Sequence, residues 1–299
     1  MTFLESRQRV AELLGLPQDD TSFDNKFKEW INNRYRVLCG KRSWNWLIKD
    51  SVIQTVTEIT TGTVNVTNGS TSITFSSGPV ASVANWYIRF GDTENWYEIA
   101  SHTAAATAAT LSNSFIGTTD TVATYTLRKV YYSLPSDTGK VLDMRETLSD
   151  RKIEYVPVRQ LDRFVPDRTV TGHPAYYSII GMNSSKLFRV EFHPVPSDAQ
   201  NISVRYYQVA SEMSADSDTP LIPEAFHDVL VWDALATYGY LFLDDNRIAA
   251  ARKVRDEIYA DMVGNDVDAE NIIRRLPFDV DLGEMTNTDW LRRTDLPIG

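Results

Sequence analysis

Cysteine is almost missing from this chain. Cys39 stands alone among 299 residues, so no disulfide can form within it. A single thiol in a chain this long suits synthesis in a reducing cytosol. Histidine is scarce as well, with four in all. Long apolar runs are absent. Nothing approaches the roughly 18–20 residues needed to cross a bilayer, and no membrane contact is expected. The opening MTFLESRQRVAELLGLPQ is charged throughout and lacks the apolar stretch of a signal peptide. Positive charge is in deficit, with 30 Lys and Arg against 40 Asp and Glu, a net charge of −10. That balance excludes a wide surface for gripping phosphates. It suits a wall past which nucleic acid slides, because acids repel phosphates.

What is present supports a sizeable core. Hydrophobic residues make up 42% of the chain and aromatics 11%, and the length points to about two domains. FLESRQRVAELLG sets Leu4, Val10, Leu13 and Leu14 near one helical face, with Gly15 as a stop. A second helix follows in FDNKFKEWINNRYRVLCG, with Phe23, Phe27, Trp30, Ile31, Tyr35 and Leu38 at helical spacing and Gly40 at its end. Trp44 and Trp46 are placed to pack over that end. From Val52 to about Lys129 the chain turns rich in Thr, Ser and Ala, with period-two alternation. GTVNVTNGSTSITF reads as a hairpin with Asn68-Gly69 at its turn, Val64 and Val66 answering Ile73 and Phe75. NWYIRFGDTENWYEIA reads as two strands around Gly91-Asp92, and TAATLSNSF and ATYTLRKVYY supply the last ones.

KIEYVPV, AYYSIIG, KLFRVEF and ISVRYYQV are the strands of a second β region, with HPVPSDAQ as the loop of an antiparallel pair. Helical spacing returns at about Pro223, where Phe226, Leu230, Ala234, Tyr238 and Leu241 form a stripe. RIAAARKVRDEIYADMVG makes a further helix, with Gly264 as its close. The expected fold class is therefore α+β. A helical bundle is built from the N- and C-terminal helix pairs (1–50 and 215–264). Residues 51–130 are read as an inserted Thr-rich β module of small sandwich or barrel type, 131–214 as a second β region, and 265–299 as an extended C-terminal arm.

The motifs offer little chemistry. Glu224 and His227 make half of a helical di-metal pair, and no second half exists. Together with Asp228 they read as acids drawn to a helix N-terminus. His102, His173 and His193 have no metal-set spacing, and Glu191 and His193 are read as a polar outer face of one strand. Cys39 sits at a helix end whose dipole disfavours a thiolate. CGKRS fails as a phosphate loop, with Tyr35 where Gly is needed and Arg42 where Ser or Thr is. DVDAEN fails as a calcium loop at Asn271 and Pro277. Neither a catalytic residue nor a metal site nor a cofactor is expected. Trp86 and Trp96 could stack on a sugar or fill the core of the β module.

The stretch RYYQVASEMSADSDTPLIPEAFHDVLVWDALATYGYLFLDD resembles a feature of head-to-tail adaptor (connector, neck) proteins of tailed bacteriophages. There, an aromatic-ended strand leads through a D-x-P-x-I-P loop to a helix that opens with an aromatic and a His. Asp218, Pro220, Ile222, Pro223, Phe226 and His227 stand at those positions. The N-terminal helices followed by WNWL also look like this family. Residues from about Gly62 to Lys129 resemble a small β module of phage structural proteins. The resemblance implies a non-enzymatic virion protein, assembled in the host cytoplasm and located in the neck. It would form a homo-oligomeric ring, usually of twelve copies, beneath the portal protein. The ring would extend the DNA channel without sequence-specific binding and offer a surface to tail or nozzle components. Pro220, Pro223, Phe226, His227 and Asp228 would then form the helix start and a subunit contact. Ile272, Ile273, Leu276, Phe278, Trp290 and Leu291 would anchor a C-terminal arm on the portal. The alternatives are a glycan-binding tail or receptor-recognition module that uses Trp86 and Trp96, and a cell-wall hydrolase.

Overall fold

A computed structural model describes residues 1–17, 21–91, 93–148, 151–165 and 170–274, with residues 21, 22, 164 and 267–274 given by backbone course alone. Helices α1 (Phe3–Leu14) and α2 (Thr21–Gly40) open the chain. Strand β1 (Ile48–Gln54) precedes a run of short strands: β2 (Val64–Val66), β3 (Ser72–Phe75), β4 (Tyr87–Phe90), β5 (Trp96–His102), β6 (Ala108–Leu111), β7 (Asp120–Ala123) and β8 (Tyr125–Arg128). Then come β9 (Tyr131–Ser133), β10 (Thr138–Glu146), β11 (Arg151–Tyr155), helix α3 (Val158–Phe164), β12 (Thr171–Gly172), β13 (Tyr176–Met182), β14 (Phe188–His193), β15 (Val195–Pro196) and β16 (Asn201–Gln208). Helices α4 (Asp228–Tyr238) and α5 (Asp245–Arg274) close the described chain.

The expected helical bundle is overturned. The chain is mostly β, with sixteen strands in three sheets and five α-helices among the described residues. Contacts divide it into two compact units. Among the described residues, one holds 39–43 and 47–211; the other holds 1–38, 44–46 and 212–274. Amphipathic helices do need a partner for their apolar face, but much of that partner is not helical. The extended connector between β16 and α4 runs along α1 and α2. Phe3 N–H donates to Asp218 O at 2.7 Å and Leu4 N–H to Asp216 O at 3.1 Å. Asn32 and Met213 exchange two hydrogen bonds, and Leu221 N–H donates to Tyr35 Oη at 2.9 Å.

Within this helical unit the local rules are met. Thr2 and Glu5 form a capping box on α1, and Gly15 ends it in the left-handed region at φ 74°. Helix α1 packs on α4, and α4 on α5. The expected stripe on α4 understates its burial. Val229, Leu230, Val231, Ala234, Leu235 and Ala236 are all buried, so the helix is apolar nearly all round, as a core helix is. Leu241, expected inward, is 56% exposed beside an exposed Tyr240. Trp44 covers the end of α2 as expected, donating from Nε1 to Leu38 O at 2.9 Å and stacking on Trp46. Gly264 does not close α5, which continues to Arg274. The reason is tertiary: Asn45 N–H donates to the Asp266 carboxylate at 2.9 Å, and Asn45 Nδ2 donates to Asp266 O.

The β unit holds two seven-stranded sheets and a two-stranded one. The larger-spanning sheet has the order β1-β16-β10-β11-β13-β14-β9. Its buried face carries Ile53, Met144, Ile153, Tyr177, Phe192, Ile202, Val204 and Tyr206. Strand β1 pairs antiparallel with β16 over its whole length, Ile48 opposite Tyr207 and Gln54 opposite Asn201. HPVPSDAQ is not the loop of an antiparallel pair. Strands β14 and β16 are not neighbours, and Val195–Pro196 of that stretch pairs with β12 instead.

The second sheet, β7-β2-β3-β6-β5-β4-β8, is the Thr-rich module, set in the chain between β1 and β9. The expected hairpin forms, with Val64 opposite Phe75 and Gly69 at φ 77° in its turn. Val64, Val66, Ile73 and Phe75 share one buried cluster with Ile88, Phe90, Ile99 and Leu127. Strands β4 and β5 pair around Gly91, again as the alternation predicts.

Candidate interaction surfaces

The D-x-P-x-I-P connector is built from the residues that its positions require. The Asp218 carboxylate accepts the Ser214 and Ala215 N–H groups at 2.7 and 2.8 Å, which holds its pKa below the usual range. Pro220 and Ile222 are buried, while Pro223 is exposed. Pro223 starts a short 3-10 turn, Glu224–Phe226, rather than the α-helix itself. Helix α4 begins at Asp228, with His227 as its preceding residue. Phe226 is half-buried, Glu224 and Asp228 are exposed, and His227 is 6% exposed.

His227 is a structural hub. Its Nε2 donates to Ile222 O at 2.7 Å, since a carbonyl oxygen only accepts. Nδ1 accepts from the Met1 ammonium at 2.9 Å. The imidazole therefore joins the connector to the start of α1 and is saturated by these bonds. Sequence reading placed His227 at a helix start but missed this second partner, which lies 226 residues away.

Two further groups hold the same unit. Arg7, 3% exposed, is ion-paired with Asp24 of α2 and with Asp216 of the connector. Asp233, inside the apolar α4, is 1% exposed and pairs with Arg34 of α2 at 2.7 Å and Arg255 of α5 at 3.5 Å. Neither network was singled out from sequence, although a lone Asp in the run VLVWDALA is a visible anomaly. Of the arm anchors, Ile272 and Ile273 lie on α5 by backbone course. Leu276, Phe278, Trp290 and Leu291 lie outside the described residues.

In the β unit, Trp86 is 8% exposed and belongs to the module core. Trp96 sits on the opposite face of β5, where the guanidinium groups of Arg128 and Arg89 lie 3.7 and 5.2 Å from its ring. The two tryptophans, read as possible members of one sugar face, are divided between a core and a cation–π contact. The expected polar outer face of β14 is also corrected, because Glu191 is 2% exposed. Cys39 is buried, and burial pushes its thiol pKa up to about 12. His102 accepts from Val83 N–H at Nδ1 and donates to Ala106 O at 2.9 Å from Nε2, which ties two loops of the module together. His173 is exposed and bonds the buried Glu146 carboxylate at 2.7 Å.

Two surfaces have shape. An apolar groove of about 440 Å³ is lined by Leu134, Val141, Tyr155, Tyr177, Ile179 and Phe188 of the larger-spanning sheet and its connections. An open face of α5 presents Arg252 and Lys253 one turn before Asp256 and Glu257. Among the described residues no three His, Cys, Asp or Glu side chains converge as metal ligands. No described helix is long and apolar enough to cross a membrane.

No curated protein matches the chain. A family profile described as SU10 adaptor protein matches residues 80–275, which include most of the Thr-rich module, the larger-spanning sheet after β1, the connector and both C-terminal helices. That span covers about two-thirds of the chain, and the chain belongs to the SU10 adaptor protein family, a family of bacteriophage structural adaptors.

Proposed function

We propose that this chain is a head-to-tail adaptor subunit. Copies form a ring, of about twelve by the family resemblance, beneath the portal vertex. The ring prolongs the DNA channel and presents the attachment surface for tail or nozzle components. Its place is the virion neck, and its work is assembly rather than catalysis.

The observation that supports this reading best is the connector. Asp218, Pro220, Ile222 and His227 match the adaptor-like loop; Asp218 O accepts from Phe3 N–H of α1, His227 bonds both Ile222 O and Met1, and Pro220 and Ile222 are buried. A subunit that transmits load between portal and tail needs such a passage held from both sides. The net charge of −10 adds support, because an acidic conduit does not retain DNA. The exposed Tyr240 and Leu241 offer apolar contact area of the kind that subunit interfaces use.

Particle imaging tests the proposal. Labelled protein in assembled virions is expected as a ring between portal and tail. Density elsewhere in the particle, or a protein absent from mature particles, would overturn it.

A further inference from the structure

The larger-spanning sheet has an open edge at β1. Strand β1 stands last in the sheet order, and its only sheet partner among the described residues is β16. Just beyond it, Thr55 N–H donates to Gln200 O at 2.9 Å, which continues the same ladder. Hydrogen-bonding direction alternates along an antiparallel strand. Lys49, Ser51 and Ile53 therefore bond inward to β16, while Ile48, Asp50, Val52 and Gln54 turn their N–H and C=O groups outward. No backbone partner meets that outward row among the described residues.

Natural edge strands are usually blunted by proline, bulges or free charges. This one has little of that protection. Its register with β16 is continuous over seven residues, without a bulge or proline. Its two charges are drawn back onto the sheet, Lys49 to Asp137 at 2.6 Å and Asp50 to Arg205 at 2.8 Å. Ile48 and Val52 stay exposed on one face, Val52 at 58%.

The chain itself contains a complementary sequence pattern, in residues outside the described ones. In PFDVDL, Phe278, Val280 and Leu282 alternate with Asp279 and Asp281, a five-residue period-two pattern flanked by Pro277. We propose that residues 278–282 of a second copy add as a strand to the open edge of β1. In that pairing Phe278, Val280 and Leu282 extend the apolar row of Ile48 and Val52. Asp279 and Asp281 fall on the side of Lys49, whose ammonium has three donors and is half-exposed. Main-chain hydrogen bonds supply the affinity, and the alternating faces set the register. The choice of a second copy rests on the ring reading; the open edge does not. Trp290 and Leu291, further along, are left for the portal.

Cysteine pairing in the full-length chain tests this. Opposite Cα atoms of antiparallel strands lie about 4.5 or 5.5 Å apart, within the roughly 4.4–6.8 Å that a disulfide spans. One preparation carries Val52→Cys and the other Val280→Cys. Native Cys39 is buried with its thiol pKa at about 12, so it does not compete. Oxidation of the mixture is expected to give a covalent dimer. A mixture of Val52→Cys with Asp279→Cys, whose thiols sit on opposite faces, is expected to give at least tenfold less. Amide exchange on the wild-type assembly is expected to show Asp50, Val52 and Gln54 protected, and exposed again on dissociation. Equal linking in both mixtures, no linking in either, or a double variant that closes only within its own chain would each overturn the proposal. Rings in virions without the cross-link would remove the strand and leave the ring reading. The cross-link in a protein that forms no ring would do the reverse.

Discussion

Asp233 carries a charge in the most apolar helix of the molecule, and it is tolerated because two guanidinium groups from other helices reach it. Such a pair is weak evidence of net stabilisation, but removing one partner strands the others. Asp233→Ala is expected to cost on the order of 3 kcal/mol, and Asp233→Asn less, because the amide still accepts from Arg34. Urea unfolding with unchanged slope and a lowered midpoint would show it. A glycine makes the same point sterically. A Cβ at Gly78 would run into the carbonyl oxygens of Ala105 and Ala106, whereas one at Gly40 meets nothing within 4 Å. Gly78→Ala is expected to destabilise by about 1–3 kcal/mol. Gly40→Ala, on a helix, should be neutral or slightly stabilising in the same thermal melt. The Asp was readable as an anomaly in the sequence, but its partners were not. Gly78 had no signal at all, since the backbone it meets lies far along the chain.

At the scale of elements, β12 is held by more than its two-residue pairing with β15. His173, next to it, bonds Glu146 at the end of β10. The bond to Glu146, and then its charge, raise the His173 pKa, and burial of Glu146 keeps the carboxylate close to its partner. A raised folded-state pKa stabilises fully below the unfolded value near 6.5, and that stabilisation fades as pH rises through the folded value. His173→Gln should therefore lower the melting temperature most at about pH 5, with the gap narrowing by about pH 8. A gap independent of pH would show a packing role instead. The elements themselves were legible in proportion to their signals. The β2–β3 hairpin has alternation and an Asn-Gly turn, and it forms as read. Strand β1 has one buried side chain in seven, so no alternation announced it. Helix α5 runs past Gly264 because Asn45 binds Asp266, a contact that no local pattern encodes.

For the whole molecule, the error in fold class has a definite cause. Helical stripes are long and stand out, whereas most of the module strands have three or four residues, and β16 joins β1 and β10 into one surface with pairs such as Gln54–Asn201 and Glu146–Ile202, far apart in the chain. The same scale holds the assembly prediction. A chain ending at Arg274 keeps every described contact, so as a monomer it should melt as the full-length monomer does. It should nevertheless fail to join portal-bearing capsids, as measured by co-sedimentation. Normal incorporation of that variant would remove the arm from the assembly scheme.

By itself, the sequence determined what depends on neighbours along the chain. Gly15 and the capping box bound α1, Asn68-Gly69 turns a hairpin, the connector prolines end the β region, and the acidic balance argues against a wide phosphate-gripping surface. These follow from backbone sterics, side-chain period and net charge, which need no third dimension. Only the tertiary structure decided that sheets rather than helices frame the molecule, that His227 answers to Met1, and that β1 stands at an open edge. Each of these joins groups far apart in sequence. Their pairing is settled by which buried surfaces and hydrogen bonds close together, and no local pattern records that.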